Sequence, residues 1–222
     1  MGQIQLKARA KINLALDVVR KREDGYHDLK MVMQTIDLYD KVTIKKMNTD
    51  KIIITTNLHG LPVNENNIVY KAVKLMKDKF NITSGVFVKL EKHIPIGAGM
   101  AGGSTDAAAT LKGMNKLFSL KLTTEELMEL GIQLGADVPY CIVGGTALAQ
   151  GVGEVLTSIP NKMNYYILLA KPNLSVSTKY VFSHLNMGDV EIHPDVDGMV
   201  KAITNNNLDG VTSRLGNVLE LV

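Results

Sequence analysis

The sequence predicts an α+β fold, and three observations lead there. Strand-like segments crowd the first quarter of the chain, before any helical spacing sets in. Helical periodicity begins at Ile68, where Ile68, Ala72, Leu75, Met76 and Phe80 recur at helical spacing. A glycine-dense loop within residues 94–108, IPIGAGMAGGSTDAA, then runs straight into an alanine run. Strands in one block with helices to cover them are the pattern of α+β, not of regularly alternating βα units.

Taken in order, residues 4–19 alternate well enough for one long strand, and residues 32–44 and 52–56 read as two more. Residues 57–67, with Gly60, Pro62 and four asparagines, form a loop before the helix at Ile68. Val86, Val88 and Leu90 alternate with Phe87, Lys89 and Glu91, which suits a half-solvated antiparallel strand. The helix after the glycine loop extends to about Phe118, with Ser104 as its expected N-cap. Thr123 and Glu126 have the spacing of a capping box, opening a helix with Leu127, Leu130 and Leu134 on one face. Residues 146–149 read as a strand. Proline and asparagine cluster at residues 160–164, so the expected division is a first domain, 1–160, and a second, 161–222, opening with a short apolar strand at residues 165–170.

Composition narrows the function. Of 222 residues, 45% are hydrophobic and 21% charged, enough for an ordinary core and against disorder. The net charge of +3 is too weak to indicate nucleic acid but suits an anionic substrate. Cys141 is the sole cysteine, so no disulfide forms within the chain and a reducing, cytoplasmic compartment is expected. The five histidines lack metal-ligand spacing. Lys7, Arg9 and Lys11 break the N-terminus as a signal peptide, and no apolar run approaches a membrane span.

The glycine loop carries the chemistry. Gly97, Gly99, Gly102 and Gly103 allow the backbone to fold around a ligand with its N–H groups turned inward. A helix N-terminus behind such a loop is an anion site, and phosphate is the usual anion. The chain contains no Gly-Lys pair, which excludes a Walker A loop. Gly97 does open a G-x-G-x-x-G string, but no acidic residue lies between Asp106 and Glu125 to hold a ribose. The HRD and DFG motifs of protein kinases are missing.

Four further segments stand out. KARAKINLALDV puts Lys11 and Asn13 on one strand face among apolar neighbours, where the ammonium either has a specific partner or snorkels from an edge. REDGYHDL sets Tyr26 and His27 after an Asp-Gly turn, as either a surface turn or an aromatic and a histidine able to hold a flat base. LGADVPY carries Asp137 before Pro139; alone it is a turn aspartate, and near a lysine and a phosphate it is a candidate catalytic carboxylate. VSTKYVF supplies Thr178 and Phe182, one helical turn apart.

AKINLAL, DGYH, NNIVYKA, the glycine loop, LGADVPY and GVGEVLT follow one another in that order. In this the chain resembles the GHMP kinase superfamily, which includes galactokinase, homoserine kinase and mevalonate kinase. DGYH together with GADVP narrows the resemblance to the branch acting on cytidine diphosphate methylerythritol in non-mevalonate isoprenoid biosynthesis. The resemblance covers nearly the whole chain. It implies an N-terminal ribosomal-protein-S5-like domain and a ferredoxin-like C-terminal domain, the first binding ATP and holding the catalytic residues, the second lying on the substrate side.

The implied activity is ATP-dependent phosphorylation of the substrate's 2-hydroxyl. ATP would occupy Pro95, Gly97, Gly99, Gly102, Gly103, Ser104 and Thr105, with Asn67 and Lys92 on the adenine and ribose side. Asp137 would take the hydroxyl proton, and Lys11 would orient Asp137 and stabilise the transferred phosphoryl group. Asn13 and Thr178 would help to place the substrate, Tyr26 and Phe182 would sandwich the cytosine, and His27 would read its edge. Mg²⁺ is implied by ATP chemistry, with no ligand assigned. The partners expected are thus two small molecules, with no nucleic acid and no membrane. Another GHMP kinase of homoserine or mevalonate type, or a non-catalytic nucleotide-binding protein on the same fold, are the alternatives. Family members also carry a third glycine-rich motif, S-G-S/T-G, near the C-terminus. Nothing like it occurs before Val222, so the second domain is expected to be incomplete and the chain a poor enzyme.

Overall fold

The computed structural model describes residues 2–172 and 177–222. In chain order the elements are β1 (Gln3–Lys21), β2 (His27–Met47), β3 (Ile52–Thr56), α1 (Ile68–Lys79), β4 (Gly85–Glu91), α2 (Gly102–Leu117), α3 (Thr124–Ile132), α4 (Val138–Val143), β5 (Thr146–Gly151), β6 (Val155–Ser158), α5 (Thr178–His184), α6 (Val196–Thr204), α7 (Leu208–Thr212) and β7 (Gly216–Asn217). This is the α+β class read from the sequence.

The chain forms two compact units that are interleaved in sequence: residues 1–10, 36–95 and 101–143, and residues 11–35, 96–100 and 144–222. β1 and β2 supply residues to both.

In the first unit, β4 pairs antiparallel with β2, Ile44 opposite Val88 and Val42 opposite Leu90. On its other edge β4 pairs parallel with β3, which the alternation in β4 did not reveal. The core gathers Val42, Ile44, Val86, Val88 and Leu90 from the sheet with Val69, Val73 and Met76 of α1 and Leu111 and Met114 of α2. α1 is capped by Asn67. The capping box of Thr123 and Glu126 forms at α3 as expected, and Leu127 and Leu130 are buried. Leu134 lies past the end of that helix. α4 was not expected: Asp137 and Pro139 read as a turn, yet proline is tolerated in a helix's first turn, where its missing N–H has no partner to lose.

In the second unit, β2 pairs antiparallel with β5, Leu29 opposite Gly151 through Gln34 opposite Thr146. β5 then returns as β6, a strand the sequence reading missed. Gly151 (φ 69°) and Gly153 (φ 109°) make that reversal. α6 packs Met199 and Ile203 against Leu14, Ala15 and Val32. Residues 165–170 do not form the expected strand. Their apolar composition is that of a strand, but no neighbour supplies a ladder among the described residues, and Tyr166 and Leu168 face solvent.

Candidate active site

The glycine loop takes its shape from its backbone. Gly97 and Gly99 adopt φ of 63° and 68°, the left-handed region in which a side chain is strained. Ala101 follows at φ 56° and stands at the N-cap of α2 without a side-chain hydrogen bond. Ser104 is therefore not the cap. The left-handed Ala101 lets the chain enter the helix at Gly102, placing Ser104 inside the first turn. Thr105 N–H donates to Ala101 C=O at 2.9 Å, so the N–H groups of Gly102, Gly103 and Ser104 precede the helical bonding ladder. No cap side chain competes for them, and the helix dipole adds positive potential at this end.

Beside the start of α2 the first unit holds a buried ionic chain. Lys92 Nζ bonds Asp106 Oδ2 at 2.6 Å and also bonds Asp40 Oδ2. The other oxygen of Asp40 accepts from His93 N–H at 2.5 Å and Ile94 N–H at 2.8 Å. Asp40 is thereby fully used. Asp106 Oδ1 is buried with no hydrogen-bond partner among the described residues. Burial pushes the Asp106 carboxyl up to about 7 against the opposing pull of Lys92. Asp40 and Asp106 were not picked out by sequence reading. Yet Asp40 shares the inward parity of Val42 and Ile44, and Lys92 that of Val88 and Leu90. Charged residues at core-facing positions were the available signal.

Three of the other residues expected on the nucleotide side are placed without a shared contact. Asn67 is occupied at both ends: its Oδ1 accepts from Val69 N–H at 2.8 Å and its Nδ2 donates to Pro62 C=O at 2.6 Å. Pro95 is exposed and Thr105 buried. Asp137 is half-buried, and its carbonyl accepts from Cys141 N–H at 3.1 Å, opening α4.

In the second unit the loop meets β1. Lys11 N–H donates to Met100 C=O at 3.2 Å. The Lys11 side chain is buried, and its ammonium donates to Asn13 Oδ1 at 3.3 Å, so the two share a strand face as expected. No carboxylate among the described residues of this unit pairs with that ammonium. The Asp-Gly turn also forms, with Gly25 at φ 84° and Tyr26 N–H donating to Asp24 Oδ1 at 3.1 Å. Tyr26 is 65% exposed, whereas His27 is buried. The His27 ring stacks on Phe182 of α5 with centroids 5.4 Å apart. Its Nε2 has no partner among the described residues, and burial, reinforced by the charge of Lys21, holds the imidazole below its ordinary value. Thr178 begins α5, but its side chain lies outside the described residues.

Comparison with known proteins gives this geometry a family. Residues 67–145 match the family described as GHMP kinases N terminal domain. A 4-diphosphocytidyl-2-C-methyl-D-erythritol kinase of Lachnoclostridium phytofermentans is 58% identical over 222 residues, all of this chain and 76% of that protein. The chain belongs to that kinase family. A kinase of the same name from Lachnospira eligens is 55% identical over all of this chain and 77% of its own length. A solved 4-(cytidine 5'-diphospho)-2C-methyl-D-erythritol kinase superposes with a TM-score of 0.76 at 30% identity, covering 98% of this chain and 76% of that one. Homoserine kinase from Cytophaga hutchinsonii shares the fold at 18% identity and a TM-score of 0.74, covering 98% of this chain and 72% of that one. Members of the family are small-molecule kinases of the GHMP type, and so is this chain, with ATP as phosphoryl donor. Among the described residues no helix is long and apolar enough to cross a membrane.

Proposed function

We propose that this chain transfers the γ-phosphoryl group of ATP to the 2-hydroxyl of 4-diphosphocytidyl-2-C-methyl-D-erythritol, a step of non-mevalonate isoprenoid synthesis in the cytoplasm. The observation that carries the reading is the set of N–H groups at the start of α2 that precede the helical ladder, following two left-handed glycines in the chain. A Cβ on Gly99 would meet nothing within 4 Å, so the loop presents open backbone to a ligand. This donor set fits a polyphosphate. The names of the relatives supply the acceptor.

The nucleotide's phosphates lie along Gly97, Gly99, Gly102, Gly103, Ser104 and Thr105 in this reading, with Pro95 and Asn67 on the nucleoside side; Lys92, expected there from the sequence, has its ammonium bonded to Asp40 and Asp106 instead. Lys11 brings a buried ammonium that pairs with no carboxylate among the described residues of its own unit; a phosphoryl group gaining charge is a suitable counter-ion. The transfer forms the bond from the substrate oxygen to phosphorus, breaks the bond to the bridging oxygen of ADP, and delivers the hydroxyl proton to Asp137. Mg²⁺ accompanies ATP and supplies charge neutralisation of the phosphates. Among the described residues no group of three acidic, histidine or cysteine side chains could hold a metal by itself, which suits an ion bound mainly by phosphate.

The cytosine is assigned to Tyr26, His27 and Phe182, with Asn13 and Thr178 toward the rest of the substrate. A partly desolvated imidazole whose Nε2 has no partner among the described residues is suited to reading a base edge, with the rings of Tyr26 and Phe182 proposed for its faces. Residues 1–160 are taken as the ATP-binding and catalytic part and residues 161–222 as the substrate-side part. An ADP-release assay with cytidine diphosphate methylerythritol, mevalonate and homoserine as rival acceptors tests the reading. Release with the cytidine compound alone is expected. Release with either of the others in its place would overturn it.

A further inference from the structure

The buried ionic chain does more than fill space beside the start of α2. Its members join the two segments between which the loop is strung. On one side, Asp40 Oδ1 takes the N–H groups of His93 and Ile94, the last residues before Pro95. On the other, Asp106 sits one turn into α2, just past Gly102, Gly103 and Ser104. Lys92 Nζ joins the two, bonded to a carboxylate on each side. Its own backbone is also fixed: N–H donates to Asn57 Oδ1 at 2.7 Å, and its C=O accepts from Asn57 Nδ2 at 3.1 Å.

We propose that Asp40, Lys92 and Asp106 are positioning residues for ATP: the Lys92 ammonium, shared by two buried carboxylates, clamps the first turns of α2 to the chain entering the loop and so sets where the Gly102–Ser104 N–H groups point. The inference rests on the reading of this loop as the phosphate site. Several features fit a clamp better than a direct nucleotide contact. The Lys92 side chain is only 5% exposed, with Asp40 at 0% and Asp106 at 4%. Its ammonium already has two ionic partners, and a third would have to displace one. A Cβ added at Gly102 would lie 3.5 Å from Lys92 Nζ and 3.2 Å from Ile94 Cγ2. The ammonium thus lies beside the helix start, where a side chain at Gly102 would crowd Ile94. Small errors in donor direction matter because phosphate recognition depends on several N–H groups converging at hydrogen-bond distance.

The test is calorimetric binding of ATP, and separately of cytidine diphosphate methylerythritol, to the 222-residue chain and its variants, each checked by thermal melting. Lys92→Met is expected to weaken ATP by roughly tenfold or more, with less than about a twofold change for the cytidine compound. Asp40→Asn should reproduce the ATP-specific loss, although it leaves the ammonium in place. The double variant should be no worse than the more severe single, since both break one clamp. Asp106→Asn, which keeps a neutral acceptor for Lys92, should shift ATP affinity in the same direction by less, and serves where the others fail to fold. Additive losses, or a loss at Lys92 with none at Asp40 or Asp106, would mean that Lys92 binds the nucleotide directly and would overturn the clamp. Gly99→Val separates the two levels of failure. If it weakens ATP while the clamp variants do not, the clamp alone is wrong; if none of them does, the loop is not the phosphate site and both readings fall.

Discussion

Asp106→Asn should reverse a pH dependence of stability that the buried carboxylate builds into the fold. The carboxyl is raised from 3.8 to about 7, chiefly by burial, with Lys92 pulling the other way and Asp40 adding to the rise. A raised pKa means that the folded state holds a proton that the unfolded state has released. The associated stability is fully present below about pH 4, is lost as pH rises toward about 7, and changes no further above that. A shift of about three units corresponds to on the order of 4 kcal/mol. Asparagine mimics the protonated acid in size and can still accept from Lys92, so it should match the parent at low pH. Near pH 8 it should be more stable by up to on the order of 4 kcal/mol, because the parent then carries a buried ionised oxygen, Oδ1, with no partner among the described residues. Urea unfolding followed by far-ultraviolet circular dichroism at pH 4.5, 6, 7 and 8 gives the difference curve directly. A difference that stays constant across that range would refute the reasoning. So would a variant less stable than the parent at pH 8, since Asp106 would then be stabilised by its charge.

Three further expectations concern function. Asp137→Asn should leave binding of both ligands nearly intact and reduce turnover by roughly 10²–10⁴, the range for losing a general base; single-turnover kinetics with wild-type rates would remove it from the mechanism. Gly99→Val forces a β-branched residue into φ of 68° where nothing crowds it, so the expected loss is about 1–2 kcal/mol of strain together with weakened ATP binding. Unchanged nucleotide affinity by calorimetry would place the loop elsewhere. Tyr26→Ala should hardly move the melting temperature, because the ring is 65% exposed, yet raise the dissociation constant of the cytidine compound by roughly tenfold, with ATP unaffected. Lost ATP affinity with retained cytidine binding would reverse the assignment.

The parts of this fold that were legible in the sequence are those set by periodicity and local chemistry. β3, α1 and the capping box of α3 fall where alternation, helical spacing and the Thr123–Glu126 pair put them. The failures share one cause: each depended on something distant. Residues 165–170 have the composition of a strand, but a strand also needs a neighbour, and composition carries no information about that. Ser104 is a good cap by type, yet Ala101 in the left-handed region starts the helix three residues earlier. The ionic chain required seeing that Asp40, Lys92 and Asp106, 52 and 14 residues apart, converge. Asp40 and Asp106 sit where β2 and α2 face the core and Lys92 lies just past the end of β4, and a buried charge has to find a partner.

The string G-x-G-x-x-G from Gly97 misleads as a fingerprint but holds as physics. In a dinucleotide fold its glycines serve a tight turn, backbone approach to pyrophosphate and close helix packing. Here Gly97 and Gly99 serve conformation, both left-handed, and a Cβ on Gly99 would meet only open space. Gly102 serves packing, since a Cβ there would press on Ile94 Cγ2 at 3.2 Å, a side chain whose own N–H is held by Asp40. The same division of labour thus arises on a strand, β4, that is antiparallel to one neighbour and parallel to the other, and with no acidic residue for a ribose. What the spacing encodes is a backbone that must bend twice and then start a helix against a packed wall. Any fold that presents a helix N-terminus to phosphate meets that requirement, so in the proposed reading the glycines serve the anion and the side chains around them set the enzyme.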